Sequence, residues 1–320
     1  MRTSFKILGG TAVLALTAAG WAVPAQGAPQ AAAYESAPVG YASMNGGTTG
    51  GAGGTTVTVG NATQFRQYAN ASGRYVIQVT GTISLSGMQR VASDKTIIGV
   101  GTSGRIVGGG LTLNGVRNVI IRNLTFSGAN DDAINIQDST TNVWIDHNDL
   151  TDAYDGVLDI KRGSDYVTVS WNRVYGQDKA MLLGHSDDNG AQDRGRLRVT
   201  YVHNYFDGTN QRQPRVRFGN PVHVVNNYYR NIGSYGVAST NQAGVYVERN
   251  YFENTRQPTV TQTGESSSGY LSLAGNHLVG SGTPQSRYPT LVRAIPYSYA
   301  PDAAQDVKSI VMAGAGVGKV

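Results

Sequence analysis

Seven short segments of this chain share one pattern: a β-branched run ending in asparagine, with an aliphatic or aromatic residue close behind. They are NVIIRNLTF (118–126), NVWIDHNDL (142–150), YVTVSWNRV (166–174), RVTYVHNYF (198–206), VHVVNNYYR (222–230), GVYVERNYF (244–252) and LSLAGNHLV (271–279). The asparagines are Asn123, Asn148, Asn172, Asn204, Asn227, Asn250 and Asn276, spaced 25, 24, 32, 23, 23 and 26 residues apart. A period near 24, with short strands and no amphipathic helix between them, restricts the chain to a stacked solenoid. Leucine-rich repeats have a similar length, but their leucine pattern is absent. The chain is therefore expected to be all-β: a single-domain parallel β-helix, each coil holding about three short strands stacked ~4.8 Å apart. Alternation sends Val119 and Ile121, Val143 and Ile145, and Val167 and Val169 inward. The asparagines are expected to be structural, turning corners in the left-handed region and hydrogen-bonding to one another along the stack.

A solenoid needs its ends closed. NATQFRQYANASG (61–73) has helical character, with Phe65 and Tyr68 on one face, and is expected to cap the first coil. After Asn276 the period is lost, and residues 280–320 are expected to wrap back irregularly over the coils. The extra residues of the 32-residue interval fall most easily in GHSDDNGAQDRG (184–195), a loop.

The first residues read differently. Arg2 and Lys6 precede an apolar run from Ile7 to about Val23, and Ala25-Gln26-Gly27 fits a small-residue cleavage site. Residues 1–27 are expected to be a secretory signal peptide. A membrane anchor fits less well, because the run is short and holds Gly9, Gly10 and Gly20. Cleavage removes two cations and no acids, lowering the formal charge from +5 to +3. The mature protein is then secreted, with no membrane attachment. Residues 28–55, rich in Gly, Ala, Ser and Thr, read as a flexible leader, and 56–320 as the solenoid domain. With no cysteine, its stability must come from burial and hydrogen bonding.

The repeat supplies its own coordinates. Counting forward from each asparagine, Asp132 lies nine residues on, Asp155 and Asp159 seven and eleven, Lys179 seven, and Arg212 eight. Lys161 and Arg217 both lie at thirteen. Similar offsets mean one side of the solenoid on adjacent coils, with carboxylates on the earlier coils and cations on the later ones. Asp132, Asp155 and Asp159 have no Cys or His in register, so an all-oxygen site would suit Ca²⁺ or Mg²⁺. Salt bridging to Lys161, Lys179 or Arg162 is the alternative. In QRQPRVRFG (211–219), strand alternation after Pro214 puts Arg215 and Arg217 on one face and Val216 inside.

These stretches together resemble the extracellular pectate lyase family: VWIDHNDL (143–150), DGVLDIKRGSDYVTVSWN (155–172) and QRQPRVRFG (211–219). The resemblance runs from about Thr55 to AGAGVGK (313–319) and implies a right-handed parallel β-helix. It implies calcium-dependent β-elimination of de-esterified polygalacturonate. It makes Asp132, Asp155 and Asp159 the calcium ligands and Arg212 the base that takes the C5 proton. Lys161, Lys179 and Arg217 become substrate-binding residues. Asn130 stands where some members carry a further acidic ligand, and Trp144, Asp146 and His147 fall in a stretch assigned to structure. The alternatives are a pectin lyase, a polygalacturonase-type hydrolase using residues near NDDAI (130–134), and a non-catalytic polyuronate-binding β-helix. A nucleic-acid partner is not expected, and the chain is expected to act as a monomer.

Overall fold

A computed structural model describes residues 36–320; the expected signal peptide and residues 28–35 lie outside the described residues. Ten parallel strands, from Thr55–Val59 to Tyr270–Ala274, stack as one sheet with a single strand per coil. A second sheet is made of two ladders joined at the long strand Arg105–Asn114. One ladder runs through Ile134–Gln137, Gly156–Ile160, Lys179–Leu183, Arg215–Arg217, Val237–Thr240 and Thr259–Val260. The other runs through Thr125–Ser127, Asp149–Thr151, Arg173–Tyr175 and onward to His277–Val279. The result is the parallel β-helix expected from the repeat.

The inward alternation is as read. Val119, Val143 and Val167 stack in register, as do Ile121, Ile145 and Val169, and all six are fully buried. On the far ladder Phe206, Tyr229 and Phe252 continue the core as stacked rings with centroids 5.0 and 4.4 Å apart. Such columns place like side chains over like, which is how a 24-residue unit too small for its own core obtains one.

The asparagine ladder runs from Asn148 to Asn276. Asn148 donates from both its backbone N and Nδ2 to Asn172 Oδ1 at 3.0 Å, and its Nδ2 also reaches Ile121 O at 3.1 Å. The same contacts repeat at Asn172, Asn204, Asn227 and Asn250. Buried amides are therefore satisfied, avoiding the cost of an orphaned donor.

The first repeat departs from its reading. Arg122 pairs with Asp146, so Asn123 lies level with His147 and Leu124 occupies the ladder column. Leu124 N donates to Asn148 Oδ1 at 3.0 Å, while Asn123 Oδ1 accepts from Gly318 N at 2.7 Å. The left-handed corner belongs to the preceding residue in each coil: His147, Trp171, His203, Asn226 and Arg249 have φ of 48–54°. The asparagine follows in a backbone state that lets its own N–H and amide point along the stack.

The described part of the leader is packed. A 3₁₀ turn, Gly40–Ser43, lies on the ten-stranded sheet, with Tyr41 N and Ala42 N donating to Thr200 Oγ1 and Thr168 Oγ1. Asn142 Nδ2 donates to Met44 O and Gly47 O at 2.9 and 3.0 Å. Small residues here mark close approach: a Cβ on Gly51 would lie 1.9 Å from Tyr75 O. The expected cap is present as helix Ala62–Asn70, burying Phe65 and Ala69.

Residues beyond 280 fold back as expected. Tyr297 OH meets Thr200 Oγ1 and His223 Nδ1, Asp302 meets His203 Nε2, and helix Val307–Gly314 packs on Tyr205 and Tyr228. No helix among the described residues is long and apolar enough to cross a membrane.

His223 is fully buried beneath this strap and shares Nε2 with Glu248 Oε1 at 2.8 Å. Burial pushes its pKa down against the opposing pull of Glu248. The unfolded imidazole gains a proton near pH ~6.5, which the folded ring resists. This contribution to stability is therefore complete above that pH and is lost as pH falls towards the depressed folded value. Thermal melts at stepped pH should fall on acidification, with a shallower slope in His223→Gln. An identical slope in the variant would remove His223 as the cause.

Candidate active site

The first ladder of the second sheet carries the charged residues. Asp132 lies in the bend before Ile134–Gln137, and Asp155 immediately precedes Gly156–Ile160, the strand that holds Asp159. Asp132 and Asp159 are buried, while Asp155 is half-exposed. Lys161 Nζ bridges Asp159 Oδ2 at 3.3 Å and Asp132 Oδ2 at 3.4 Å. Lys179 Nζ meets Asp155 Oδ1 at 2.7 Å, and Gly156 N donates to Asp132 Oδ1 at 3.2 Å.

Carboxylate oxygens of Asp131, Asp132 and Asp155 lie within 4.8 Å of one another. Were NDDAI (130–134) a strand, alternation would put Asp131 and Asp132 on opposite faces. Residues 130–133 form a bend instead, so both neighbouring carboxylates can face one site. The signal was available once the register was right: Asp131 lies seven residues after Leu124, the offset of Asp155 and Lys179 from their asparagines. Asp159 stands outside that trio, tied to Lys161.

The electrostatics follow the packing. Burial pushes the Asp132 pKa up to about 7, with Asp159, Asp131 and Asp155 adding to the rise and Lys161 opposing it. Burial also raises Asp159, against Lys161. The hydrogen bond from Lys179 holds Asp155 low despite its partial burial. Lys161 is raised overall, because Asp159 and Asp132 outweigh the effect of burial. The carboxylates crowd faster than two lysines can compensate, which favours a further cation.

One to two coils on stand the arginines. Arg215–Arg217 is a strand with Val216 fully buried, as alternation required. Arg212 is half-buried at φ 65°, its carbonyl accepts from Met181 N at 2.6 Å, and its buried Nε has no hydrogen-bond partner. Arg215 Nη2 donates to Ser266 Oγ at 2.8 Å. Arg217 donates from Nε to Asp187 Oδ1 at 2.6 Å and from Nη1 to Gly184 O at 3.1 Å. Burial and the adjacent Arg217 and Arg212 lower the Arg215 pKa. Lys161 and Arg217 flank Gly184, whose N bonds Ile160 O and whose missing Cβ would lie 2.7 Å from Arg217 Cβ.

Trp144, Asp146 and His147 lie on the ten-stranded sheet. Buried Asp146 binds Arg122 Nε, His147 Nδ1 and Ser170 Oγ at 2.6–2.7 Å, an arrangement that supports the wall and not the groove. Asp187 and Ser266 were not singled out from the sequence. They lie in loops outside the repeat and meet across 79 residues.

A surface with clustered carboxylates, two lysines beside them and a wall of arginines can hold a cation and an anionic chain together. Comparison with known proteins points to one family. The pectate lyase family model matches residues 11–320. A pectate trisaccharide-lyase of Bacillus licheniformis is 39% identical over 300 residues, covering 88% of this chain and 86% of that protein. Pectate lyase plyB of Emericella nidulans is 39% identical over 276 residues, covering 83% and 84%. Among solved structures, a pectate lyase from Bacillus sp. N165 in complex with trigalacturonate superposes with a TM-score of 0.81 at 34% identity, covering 88% of this chain and 99% of that one. Pectate lyase II from Xanthomonas campestris gives 0.73 at 30% identity, covering 88% and 98%.

Proposed function

The chain belongs to the pectate lyase family, and from that premise we propose that it cleaves α-1,4-linked polygalacturonate by calcium-dependent β-elimination, with Arg212 as the base. It acts in this reading as a secreted monomer, released by cleavage after residues 1–27. The observation that carries the proposal is the placement of the acidic trio, Lys161 and Lys179, and the arginines on successive coils of one ladder.

Calcium fits the donors. Ligand oxygens on one Ca²⁺ lie at 2.3–2.6 Å from it, so two of them are at most about 5 Å apart; those of Asp131, Asp132 and Asp155 are within 4.8 Å. These three would hold the ion, with Asp159 braced behind them through Lys161. Bound there, it supplies positive charge beside a substrate carboxylate, where elimination builds negative charge.

The chain's own groups do the rest. Lys161, Lys179 and Arg217 receive the carboxylates and ring or glycosidic oxygens of the sugar chain, fixing one uronate against Arg212. Arg212 takes the C5 proton; the C5–H electron pair forms the C4–C5 double bond as the C4–O bond breaks and the leaving oxygen gains a proton. A guanidinium ordinarily stays charged, so a neutral arginine is scarce below alkaline pH. Activity is expected to rise towards alkaline pH.

The product decides between this reading and hydrolysis. Polygalacturonate treated with the enzyme should give ultraviolet-absorbing oligomers carrying a 4,5-double bond conjugated to the carboxylate. New reducing ends without that absorbance would mean hydrolysis.

A further inference from the structure

Arg217 is held by two loops that lie outside the ladder. Residues 184–189 follow strand Lys179–Leu183, and residues 261–268 follow Thr259–Val260. Asp187, from the first, accepts from Arg217 Nε at 2.6 Å. Ser266, from the second, is 1% exposed and lies 2.7 and 2.8 Å from the two Asp187 oxygens. Arg215 Nη2 donates to the same Ser266 Oγ at 2.8 Å.

A hydroxyl has one hydrogen to give and lone pairs to accept. Ser266 therefore accepts from Arg215 and donates to Asp187, while Asp187 accepts from Arg217. The chain Arg215–Ser266–Asp187–Arg217 closes with each of these contacts satisfied. Gly184 O takes Arg217 Nη1, and the glycine's lack of a side chain lets the arginine stem lie against it.

We propose that Asp187 and Ser266 are positioning residues that clasp Arg217 and present its remaining guanidinium N–H groups to a uronate carboxylate. The proposal rests on the reading of Arg217 as a substrate-binding residue. A free arginine side chain samples many rotamers, and three cations between positions 212 and 217 repel one another. With Nε and Nη1 fixed, both penalties are met before the substrate arrives. The clasp therefore acts on binding: losing it weakens the hold on the substrate in ground and transition states alike.

The test compares steady-state kinetics on polygalacturonate with Kd for trigalacturonate by calorimetry, with melting temperature as a check on folding. Asp187→Ala should raise KM about five- to ten-fold and change kcat by less than about two-fold. Ser266→Ala should move KM the same way by a smaller factor. Asp187→Asn, which keeps an acceptor for Nε, should recover most of the loss. In an Arg217→Ala background, Asp187→Ala should add less than about two-fold, because the partner it positions is gone. Unchanged KM and Kd in Asp187→Ala, or effects that multiply in the double variant, would overturn the clasp. A wild type that binds trigalacturonate without eliminating would overturn the functional reading while the Kd series still tests the clasp. A wild type that binds nothing overturns both.

Discussion

Arg212→Ala is expected to reduce elimination by a factor on the order of 10³ or more while leaving oligogalacturonate binding within a few-fold of wild type. Proton transfer by a positioned side chain contributes about 10²–10⁴ in rate, and the buried Arg212 Nε has no hydrogen-bond partner to hold it back. Arg212 holds its place through the backbone, with its carbonyl bonded to Met181 N, so truncating the side chain leaves the ladder intact. The neighbouring Val216 column and the Arg215–Ser266 contact are also untouched. Arg217→Ala should behave in the opposite sense, raising KM more than it lowers kcat, if Arg217 grips substrate as proposed and takes no proton. Steady-state kinetics paired with calorimetric binding separate the two. Undiminished kcat in Arg212→Ala would move the base elsewhere.

The sequence revealed the architecture because a solenoid writes its contacts at a fixed interval. Val119 over Val143 over Val167 is a three-dimensional contact and also a 24-residue repeat. The site was legible for the same reason: offsets from the ladder brought Asp132, Asp155, Lys161, Lys179, Arg212 and Arg217 to one side. One residue of misregister hid the rest. Taking Asn123 as a ladder member shifted its coil, and Asp131 lost the offset it shares with Asp155 and Lys179. The packed segment at 40–51 was read as flexible because glycine signals both freedom and close backbone approach; only the contact with Tyr75 O separates them. Asp187 and Ser266 had no signal, since each sits in a loop and their pairing spans coils with no shared period.

Loss of calcium is the other large effect expected. Asp131, Asp132 and Asp155 crowd their oxygens into one site, and burial with its acidic neighbours already pushes the Asp132 pKa up to about 7. Without a cation the cluster would be relieved by a proton on Asp132, and a metal bound there would displace that proton. Raising pH towards the alkaline side deprotonates Asp132 and should lower the calcium concentration needed for activity. Magnesium is a poor substitute in this account, because it demands a tighter octahedron at about 2.0–2.1 Å. Asp155→Ala should raise the calcium requirement about ten-fold or more, since it removes one donor and frees Lys179 beside the site.

The most direct single measurement follows the ultraviolet absorbance of unsaturated product from polygalacturonate while calcium is removed and returned. Absorbance should rise with calcium, stop rising when a chelator is added, and resume when excess calcium is restored. Absorbance that continues through chelation, or chain cleavage that yields reducing ends and no absorbance, would contradict calcium-dependent elimination.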